Sequence, residues 1–268
     1  MDGIDEIGAK YRLTYHTPYL KHFLAGFDAK GKDILEVGGA LPRELVINHL
    51  GCNSWTCTES PDYDDEIGEA NQQTILGPQA NDGHYSTVLS NIEDFDDSHA
   101  DRYDCIFSIA CFEHIARLPE ALDAMHRCLK KGGLLFSMFS PIWSSYVGHH
   151  LFHCKVPEPY AELTKPYILQ PWEHLLKTRY QLHMDLTQRF DKSFADELIY
   201  NTFNSPHINR YFTEDYIRIV YQTKFQIEEF SATYKEAMPE GMQKALEDAH
   251  PGYKMFDNTG ILLRLRKI

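Results

Sequence analysis

Length, composition and charge narrow the class of this protein. At 268 residues, 43% of them hydrophobic, the chain can bury a large core, and we expect one elaborated α/β domain. Its formal net charge of −13 at pH 7 argues against electrostatic capture of DNA, RNA or an anionic membrane, and it favours a small substrate.

Two further features bear on location. No apolar run approaches the roughly 20 residues that a membrane-spanning helix needs, and residues 1–6 are acidic where a signal peptide is basic. We therefore predict a cytoplasmic protein. The cysteines contain no C-x-x-C pair, so we expect reduced thiols in the core. They are Cys52, Cys57, Cys105, Cys111, Cys128 and Cys154.

The first predicted elements suggest a cofactor site. Apolar and aromatic residues at helical spacing predict an amphipathic helix over residues 11–29. Residues 33–42 read as a buried strand that ends in glycines, and a helix over 42–50 has proline at its first position. Glycines let the backbone approach a ligand closely, and the first amide groups of the helix face that ligand. Of the G-x-G-x-x-G spacing only Gly38 is in place.

The second predicted strand carries an acid. Residues 53–58 are rich in strand formers and lead into Glu59, about 20 residues after Gly38, where such folds place the carboxylate that binds ribose hydroxyls. A carboxylate can accept two hydrogen bonds from a vicinal diol. The alternative is that Glu59 is a solvated turn residue.

Helices and strands then alternate. Residues 61–83 predict a loop with one strand around 73–76, followed by a polar turn over 91–95 and a strand over 103–109. A helix over 119–131, closed by Lys130, Lys131, Gly132 and Gly133, precedes a strand over 134–140. Such alternation implies right-handed crossovers and a mostly parallel sheet.

The pattern changes after the fifth strand. Residues 141–210 are rich in aromatic residues, histidine and proline, which predicts a helical insertion rather than a disordered linker. Residues 213–220 predict a helix with Thr213 as its N-cap. Two final strands are predicted over 225–234 and 260–268.

Four blocks, in this order and spacing, carry a family resemblance: residues 34–39, Glu59, residues 103–115 and residues 129–135. Residues 33–140 resemble a class I S-adenosylmethionine-dependent methyltransferase of the small-molecule type. The resemblance implies a doubly wound, mostly parallel seven-stranded sheet, Rossmann-like, with a helical insertion after the fifth strand. It also implies S-adenosyl-L-methionine as the cofactor.

The resemblance and the predicted elements together imply a single domain with four parts. An N-terminal helical segment would span 1–32, the cofactor-binding core 33–140, a substrate-binding insertion 141–210, and a C-terminal helix and strands 211–268.

The resemblance further implies which residues line the cofactor. The methionine half lies on the glycine turn, the ribose on an acid, the adenine beside the polar turn, and the sulfonium end over the fourth strand. In that order the residues are Glu36, Gly38, Gly39 and Ala40; Glu59; Asn91 and Ile92; and Ser108, Ile109 and Ala110. Ala40 and Pro42 stand where the fuller family pattern has glycines, so the loop differs locally. A dinucleotide oxidoreductase of related topology is the alternative.

The chemistry requires alignment of the acceptor and exclusion of water, because methyl transfer is an in-line displacement. An alcohol acceptor also has to lose a proton, which a histidine or carboxylate can take. The run Pro-x-Trp-Ser-x-x-x-Gly-His-His begins where the fifth strand ends, and it resembles methyltransferases that act on hydroxyls of sugars or other polar metabolites. We predict His149 or His150 as general base, with Trp143, Tyr146 and His153 shaping the substrate pocket.

Other residues have open alternatives. Glu113 and His114 close the fourth strand, where they organise the site in the resembled family or serve as an ordinary helix start. Asn209 could reach over the pocket or act only as a loop residue. Spacing would let His149, His150 and His153 bind a divalent metal, but no acid is adjacent and we predict none.

The sequence thus predicts an O-methyltransferase acting on a small polar metabolite, such as a sugar or nucleotide-linked sugar, without a nucleic-acid or membrane partner. An N-methyltransferase acting on a small amine is the nearest alternative, since an acidic surface attracts cationic substrates. A non-catalytic binding partner with this fold is a third reading, permitted by the altered glycine loop.

Overall fold

The computed structural model describes residues 2–61, 83–160 and 168–268, and these contain a seven-stranded sheet of order β3-β2-β1-β4-β5-β7-β6. Strands β1 to β5 pair in parallel, and β7 lies antiparallel to both β5 and β6. This confirms the predicted doubly wound, mostly parallel sheet. The strands are β1 Asp33–Val37, β2 Ser54–Glu59, β3 Tyr85–Leu89, β4 Tyr103–Ile109, β5 Leu129–Phe139, β6 Gln226–Ala232 and β7 Ile261–Arg266.

Helices cover the sheet and form the predicted insertion after β5. The α-helices are α1 Asp2–Lys10, α2 His16–Leu24, α3 Leu118–Cys128, α4 Glu173–Leu176, α5 Arg179–Arg189, α6 Lys192–Phe203, α7 Thr213–Tyr221 and α8 Met242–Ala249. A short π-helix spans Glu44–His49, and single 3-10 turns span Ile92–Asp94, Asp97–His99, Leu151–His153 and Glu158–Tyr160. The strand predicted around 73–76 lies outside the described residues.

The core lies on both faces of the sheet. Successive side chains of a strand point to opposite faces, so in β4 Ile106 packs on the side of α3, whereas Phe107 packs on the side of α2. Phe23 of α2 lies 5.0 Å from Phe107 between ring centroids. Burial on both faces explains why five of the seven β4 residues are apolar, as expected for the centre of a parallel sheet.

The predicted end of the helix over 119–131 is wrong. The helix ends at Cys128, and Leu129 is already extended and pairs with Tyr103, so the residues from 129 onward belong to β5. Lys130 therefore does not balance the partial negative charge at the C-terminus of a helix. Its Nζ lies 2.8 Å from carboxylate oxygens of both Asp33 and Asp104, which join β1 and β4.

Two other predicted helix ends differ from the structure. The helix expected over 11–29 is confined to His16–Leu24, and α1 precedes it. Thr213 is the first residue of α7 rather than its N-cap, and its hydroxyl donates to the carbonyl of Met255 at 3.1 Å. The side chain of Asp215 caps the N-terminus of α7 instead, because it accepts a hydrogen bond from the backbone N–H of Phe212 at 2.9 Å.

All six cysteines are buried and free, as predicted. Within the described ranges, every helix falls short of the length and apolar character that crossing a bilayer requires.

Candidate active site

The glycine turn after β1 is shaped by a contact with the turn after β4. Gly38 has φ of +75°, a conformation that side chains with a Cβ rarely adopt. A Cβ on Gly38 would lie 2.1 Å from Sγ of Cys111, and one on Gly39 would lie 2.8 Å from Oε1 of Glu36. Position 38 therefore requires glycine for packing within the protein as well as for approach to a ligand, whereas a Cβ on Gly39 would have to displace the carboxylate end of Glu36.

Glu36 holds this turn from beneath. Its Oε2 accepts hydrogen bonds from the backbone N–H of Leu41 at 2.8 Å and from Nε1 of Trp55 at 2.6 Å. Burial raises the pKa of Glu36 to about 7, and those two donors oppose the rise. Ala40, also buried, lies inside the loop that the Glu36 side chain spans. The predicted methionine-binding residues thus form one compact turn.

Glu59 ends β2, the strand next to β1. Among the described residues its carboxylate has no hydrogen-bond partner, and burial raises its pKa to about 7. Its backbone carbonyl accepts the N–H of Ser90 at 2.9 Å, which brings the turn containing Asn91 and Ile92 alongside. A sheltered carboxylate that the described residues leave without a hydrogen-bond partner fits the diol of a ribose.

The carboxyl end of β4 carries the last of the predicted cofactor residues. Ser108 donates its hydroxyl to the carbonyl of Val37 at 2.9 Å, and Ile109 is buried. Ala110 turns the chain with φ of +46°. The ten predicted cofactor residues therefore lie at or just after the carboxyl ends of four neighbouring parallel strands, β3, β2, β1 and β4, where open α/β sheets bind their ligands. They fit a nucleoside-bearing cofactor.

The buried acids make stability depend on pH. Because burial raises the pKa of Glu59 to about 7, its contribution to folding is present below the ordinary glutamate pKa and is lost as pH rises through 7. Glu59→Gln should therefore reduce the loss of unfolding free energy between pH 5 and pH 8 by about 2 kcal/mol. Urea unfolding of the cofactor-free protein at both pH values measures this. The exposed Glu120→Gln is the control, and equal losses in both variants would contradict the assignment.

Glu113, His114 and His150 meet beyond the ends of β4 and β5. One carboxylate oxygen and one nitrogen of each ring all lie within 4.8 Å of one another. We call these three residues the Glu-His-His cluster. Backbone groups of Glu113 and Ser140 hydrogen-bond to the Glu113 carboxylate, and burial raises the pKa of this group to about 8. Among the described residues, Glu113 Oε2 has no hydrogen-bond partner.

Backbone carbonyls orient both rings of the Glu-His-His cluster. Nδ1 of His114 bonds the carbonyl of His207, and Nδ1 of His150 bonds the carbonyl of Gly148 at 3.0 Å. A carbonyl only accepts, so Nδ1 carries the hydrogen in each ring and Nε2 carries the lone pair of the neutral imidazole. The cluster can therefore accept a proton or coordinate a cation.

His149 carries its ring hydrogen on the other nitrogen from His150. Its Nδ1 accepts the backbone N–H of Leu151 at 3.0 Å, so its hydrogen lies on Nε2 and its lone pair is already used. Its ring lies 5.4 Å from that of His174, and burial, followed by the charge of His174, holds the pKa of His149 well below the usual value. Of the two histidines predicted as the base, the hydrogen bonds favour His150.

The predicted substrate residues lie in the insertion. Trp143 is 6% exposed, packs edge-on against His174 at 4.7 Å, and has the guanidinium of Arg210 at 5.6 Å. Tyr146 is half-buried, 5.9 Å from the ring of Trp172. The side chain of His153 lies outside the described residues. Contact of Trp143 and Tyr146 with a substrate stays a prediction.

Asn209 clamps the turn that carries Glu113 and His114. Its Nδ2 donates to the carbonyls of Phe112 at 2.7 Å and Ile115 at 3.0 Å, while its Oδ1 accepts the hydroxyl of Tyr216 at 2.8 Å. Its backbone N–H also bonds the carbonyl of Glu113. These bonds occupy the amide, so the geometry favours a positioning role for Asn209 over the predicted substrate contact.

Asn209→Ala should therefore destabilise the fold and impair turnover. Removing this buried amide leaves several polar groups without partners, which we expect to cost about 3 kcal/mol of unfolding free energy. The displaced Glu113 turn should also lower kcat. Urea unfolding and steady-state kinetics measure the two effects. The exposed Asn48→Ala should change stability by less than about 0.5 kcal/mol. A fully stable, fully active Asn209→Ala would contradict the clamp.

Sequence reasoning missed two tyrosines of the N-terminal segment. The hydroxyls of Tyr19 and Ser140 are 3.2 Å apart. Loss of hydration, then the nearby negative charge of Glu113, raises the pKa of Tyr15 to about 12, although nearly half of this side chain remains exposed. Tyr19 thus contacts the residue that follows β5, and Tyr15 lies within the electrostatic influence of Glu113. The available signal was two phenols four residues apart, which share one face of a helix, but the pattern was interpreted only as an apolar stripe.

Comparisons with known proteins identify the family of this chain. A family model described as "Methyltransferase domain" matches residues 11–218. A solved structure described as an S-adenosylmethionine-dependent methyltransferase from Listeria monocytogenes has a TM-score of 0.51 at 15% identity, covering 97% of this chain and 99% of that one. Another from Mesorhizobium loti has a TM-score of 0.49 at 11% identity, covering 96% and 99%. The comparison with curated proteins finds no match.

At such low identities the structural likeness shows the fold alone, whereas the family model spans most of the chain. The chain belongs to the methyltransferase domain family, as a class I S-adenosylmethionine-dependent methyltransferase whose methyl donor is S-adenosylmethionine.

Proposed function

We propose that this methyltransferase acts on a hydroxyl of a small polar metabolite, a sugar or nucleotide-linked sugar, and that the Glu-His-His cluster removes the hydroxyl proton. When bound, S-adenosylmethionine supplies a methyl group activated by its positively charged sulfur. The protein's part is to bind the donor, align the acceptor, exclude water and accept a proton.

The donor would be held at the carboxyl ends of the parallel strands. Glu59 would accept hydrogen bonds from the ribose hydroxyls, and Gly38 to Ala40 would follow the methionine half. Asn91 and Ile92 would flank the adenine. Ser108 to Ala110 would lie under the sulfonium end, and the methyl group would then point toward the turn that carries Glu113.

The observation that carries the proposal is the Glu-His-His cluster itself. A neutral amine can attack a methyl group without first losing a proton, whereas a hydroxyl needs a base. Three proton-binding groups within 4.8 Å, at the ends of β4 and β5, are more than an amine acceptor needs. His150 is the favoured general base, since its neutral tautomer presents Nε2 as an acceptor.

The insertion supports a polar, ring-shaped acceptor. It begins directly after β5, so Trp143 and Tyr146 follow the strand end beside the Glu-His-His cluster. Aromatic faces pack well against sugar rings, and the Tyr146 hydroxyl and Trp143 indole N–H could donate hydrogen bonds. This makes a sugar hydroxyl a better candidate than a flexible aliphatic alcohol.

A mass-spectrometric screen tests the proposal. The protein is incubated with S-adenosylmethionine and panels of nucleotide sugars, free sugars and matched amino sugars, and products are examined for one added methyl group and its position by fragmentation. We expect O-methyl products. Methylation confined to the nitrogen of amino sugars would replace this proposal with an N-methyltransferase. Donor binding by calorimetry without any methylated product would support a non-catalytic partner.

A further inference from the structure

We infer that the Glu-His-His cluster is also a binding site for one divalent transition-metal ion, with an open position for the acceptor hydroxyl. The ion-binding part stands on geometry alone, whereas the role of the hydroxyl rests on the proposed function. This departs from the sequence, where only His149, His150 and His153 suggested metal spacing.

The ligand atoms come from two separate segments that converge. Glu113 and His114 follow β4, and His150 follows β5. Their candidate atoms lie within 4.8 Å of one another, while ligands around a tetrahedral zinc lie about 3.3 Å apart, given metal–ligand bonds of about 2.0–2.1 Å. Small side-chain rotations close that difference without moving the backbone that Asn209 clamps.

The surroundings of both histidines match those of metal ligands. A ligating imidazole usually donates its other N–H to a backbone carbonyl or carboxylate, which fixes the tautomer and the direction of the ring. His114 does this with the carbonyl of His207, and His150 does it with the carbonyl of Gly148. His149 has the opposite tautomer, although it is adjacent to His150.

Glu113 provides an independent argument. This side chain is 1% exposed, and its Oε2 has no hydrogen-bond partner in the part of the chain that the structure describes. In those same residues no lysine or arginine forms an ion pair with it. A buried carboxylate without a compensating charge is costly, and a cation beside Oε2 would remove that cost.

The ligand set indicates the class of ion. Two imidazoles and one carboxylate suit zinc, manganese or iron rather than magnesium or calcium, which prefer oxygen ligands. Three protein ligands leave one position open, as in catalytic zinc sites. A hydroxyl bound there becomes more acidic. Its O–H bond breaks and the proton leaves to water; the new O–C bond then forms as the methyl leaves sulfur. With the metal ion bound, His150 is a ligand of the ion and does not act as the base.

The direct test is titration of the metal-free full-length protein with Co²⁺, followed by its visible absorption, and then competition with Zn²⁺. We expect one ion per chain. His114→Asn and His150→Asn should each weaken binding by about 100-fold or more. Asparagine keeps a donor near the position of Nδ1, so the carbonyl contacts persist while the Nε2 ligand is lost. His149→Asn is the matched control and should bind Co²⁺ like the native chain. Thermal unfolding confirms that each variant is folded.

The outcomes separate this inference from the proposed function. If Co²⁺ binds weakly without saturating at one equivalent, or if His114→Asn and His150→Asn bind it unchanged, the metal site is overturned. Should the metal-free protein then methylate hydroxyls at the full rate, the proposed function stands with His150 as base. If Co²⁺ binds as expected but only amines are methylated, the site stands and the hydroxyl acceptor fails.

Discussion

Gly38→Ala should strongly weaken the binding of S-adenosylmethionine. Gly38 has φ of +75°, and an added Cβ would lie 2.1 Å from Sγ of Cys111, so the turn and the end of β4 cannot keep their present contact. The left-handed backbone alone costs alanine about 1–2 kcal/mol, and displacement of the turn adds to it. We expect affinity to fall by at least about 100-fold, equivalent to about 2.7 kcal/mol, in isothermal titration.

Gly31→Ala is the matched control. Gly31 has a similar φ of +70°, but no heavy atom lies within 4 Å of the position of its Cβ. Its variant should lose some stability and keep its affinity for the donor. The cause can be tested further with the Gly38→Ala, Cys111→Gly double variant, which removes the two atoms, Sγ and Cβ, that would lie within 3 Å of the new Cβ. Undiminished donor binding by Gly38→Ala alone would show that this turn does not hold the cofactor.

His150→Asn should lower kcat by about 10²- to 10⁴-fold, the usual contribution of a general acid or base, while affinity for S-adenosylhomocysteine stays unchanged. His150 has φ of +55°, which asparagine tolerates better than most residues, so the backbone is kept. The same loss is expected whether His150 accepts the proton or holds a metal ion. Steady-state assays with an identified acceptor measure kcat, and calorimetry measures the affinity for S-adenosylhomocysteine.

Glu113→Gln provides the companion variant, since it keeps the shape of the side chain and removes its ability to ionise or to bind a cation. It should reduce kcat with little change in donor affinity. Full turnover in His150→Asn, His149→Asn and the double variant would remove the histidine base from the account. Loss of turnover in His149→Asn but not in His150→Asn would reverse the choice that the hydrogen bonds favour.

The placement of the proposed cofactor residues at the carboxyl ends of neighbouring strands could be predicted because its signals are local. A buried strand that ends in glycines predicts the position of Gly38, and the alternation of strands and helices predicts that Glu59 lies one strand away. The choice between His149 and His150 could not be predicted. It depends on which backbone groups each Nδ1 meets, Leu151 N–H in one ring and the Gly148 carbonyl in the other.

Long-range contacts explain the other differences. Lys130 follows a helix, where a cation is expected on electrostatic grounds, yet its partners Asp33 and Asp104 are distant in sequence. Asn209 bonds carbonyls 97 and 94 residues away. No pattern within a window of the sequence contains such pairs, so the sequence suggests a pocket or loop role for Asn209 and not a clamp.

The central claim is that the Glu-His-His cluster lies at the methyl end of the donor. A crystal structure with S-adenosylhomocysteine tests it most directly. We predict the ribose hydroxyls on Glu59, the homocysteine over Gly38 to Ala40, and the sulfur directed toward Glu113 and His150. A ligand whose adenine, rather than its sulfur, lies beside Glu113 and His150 would contradict the account.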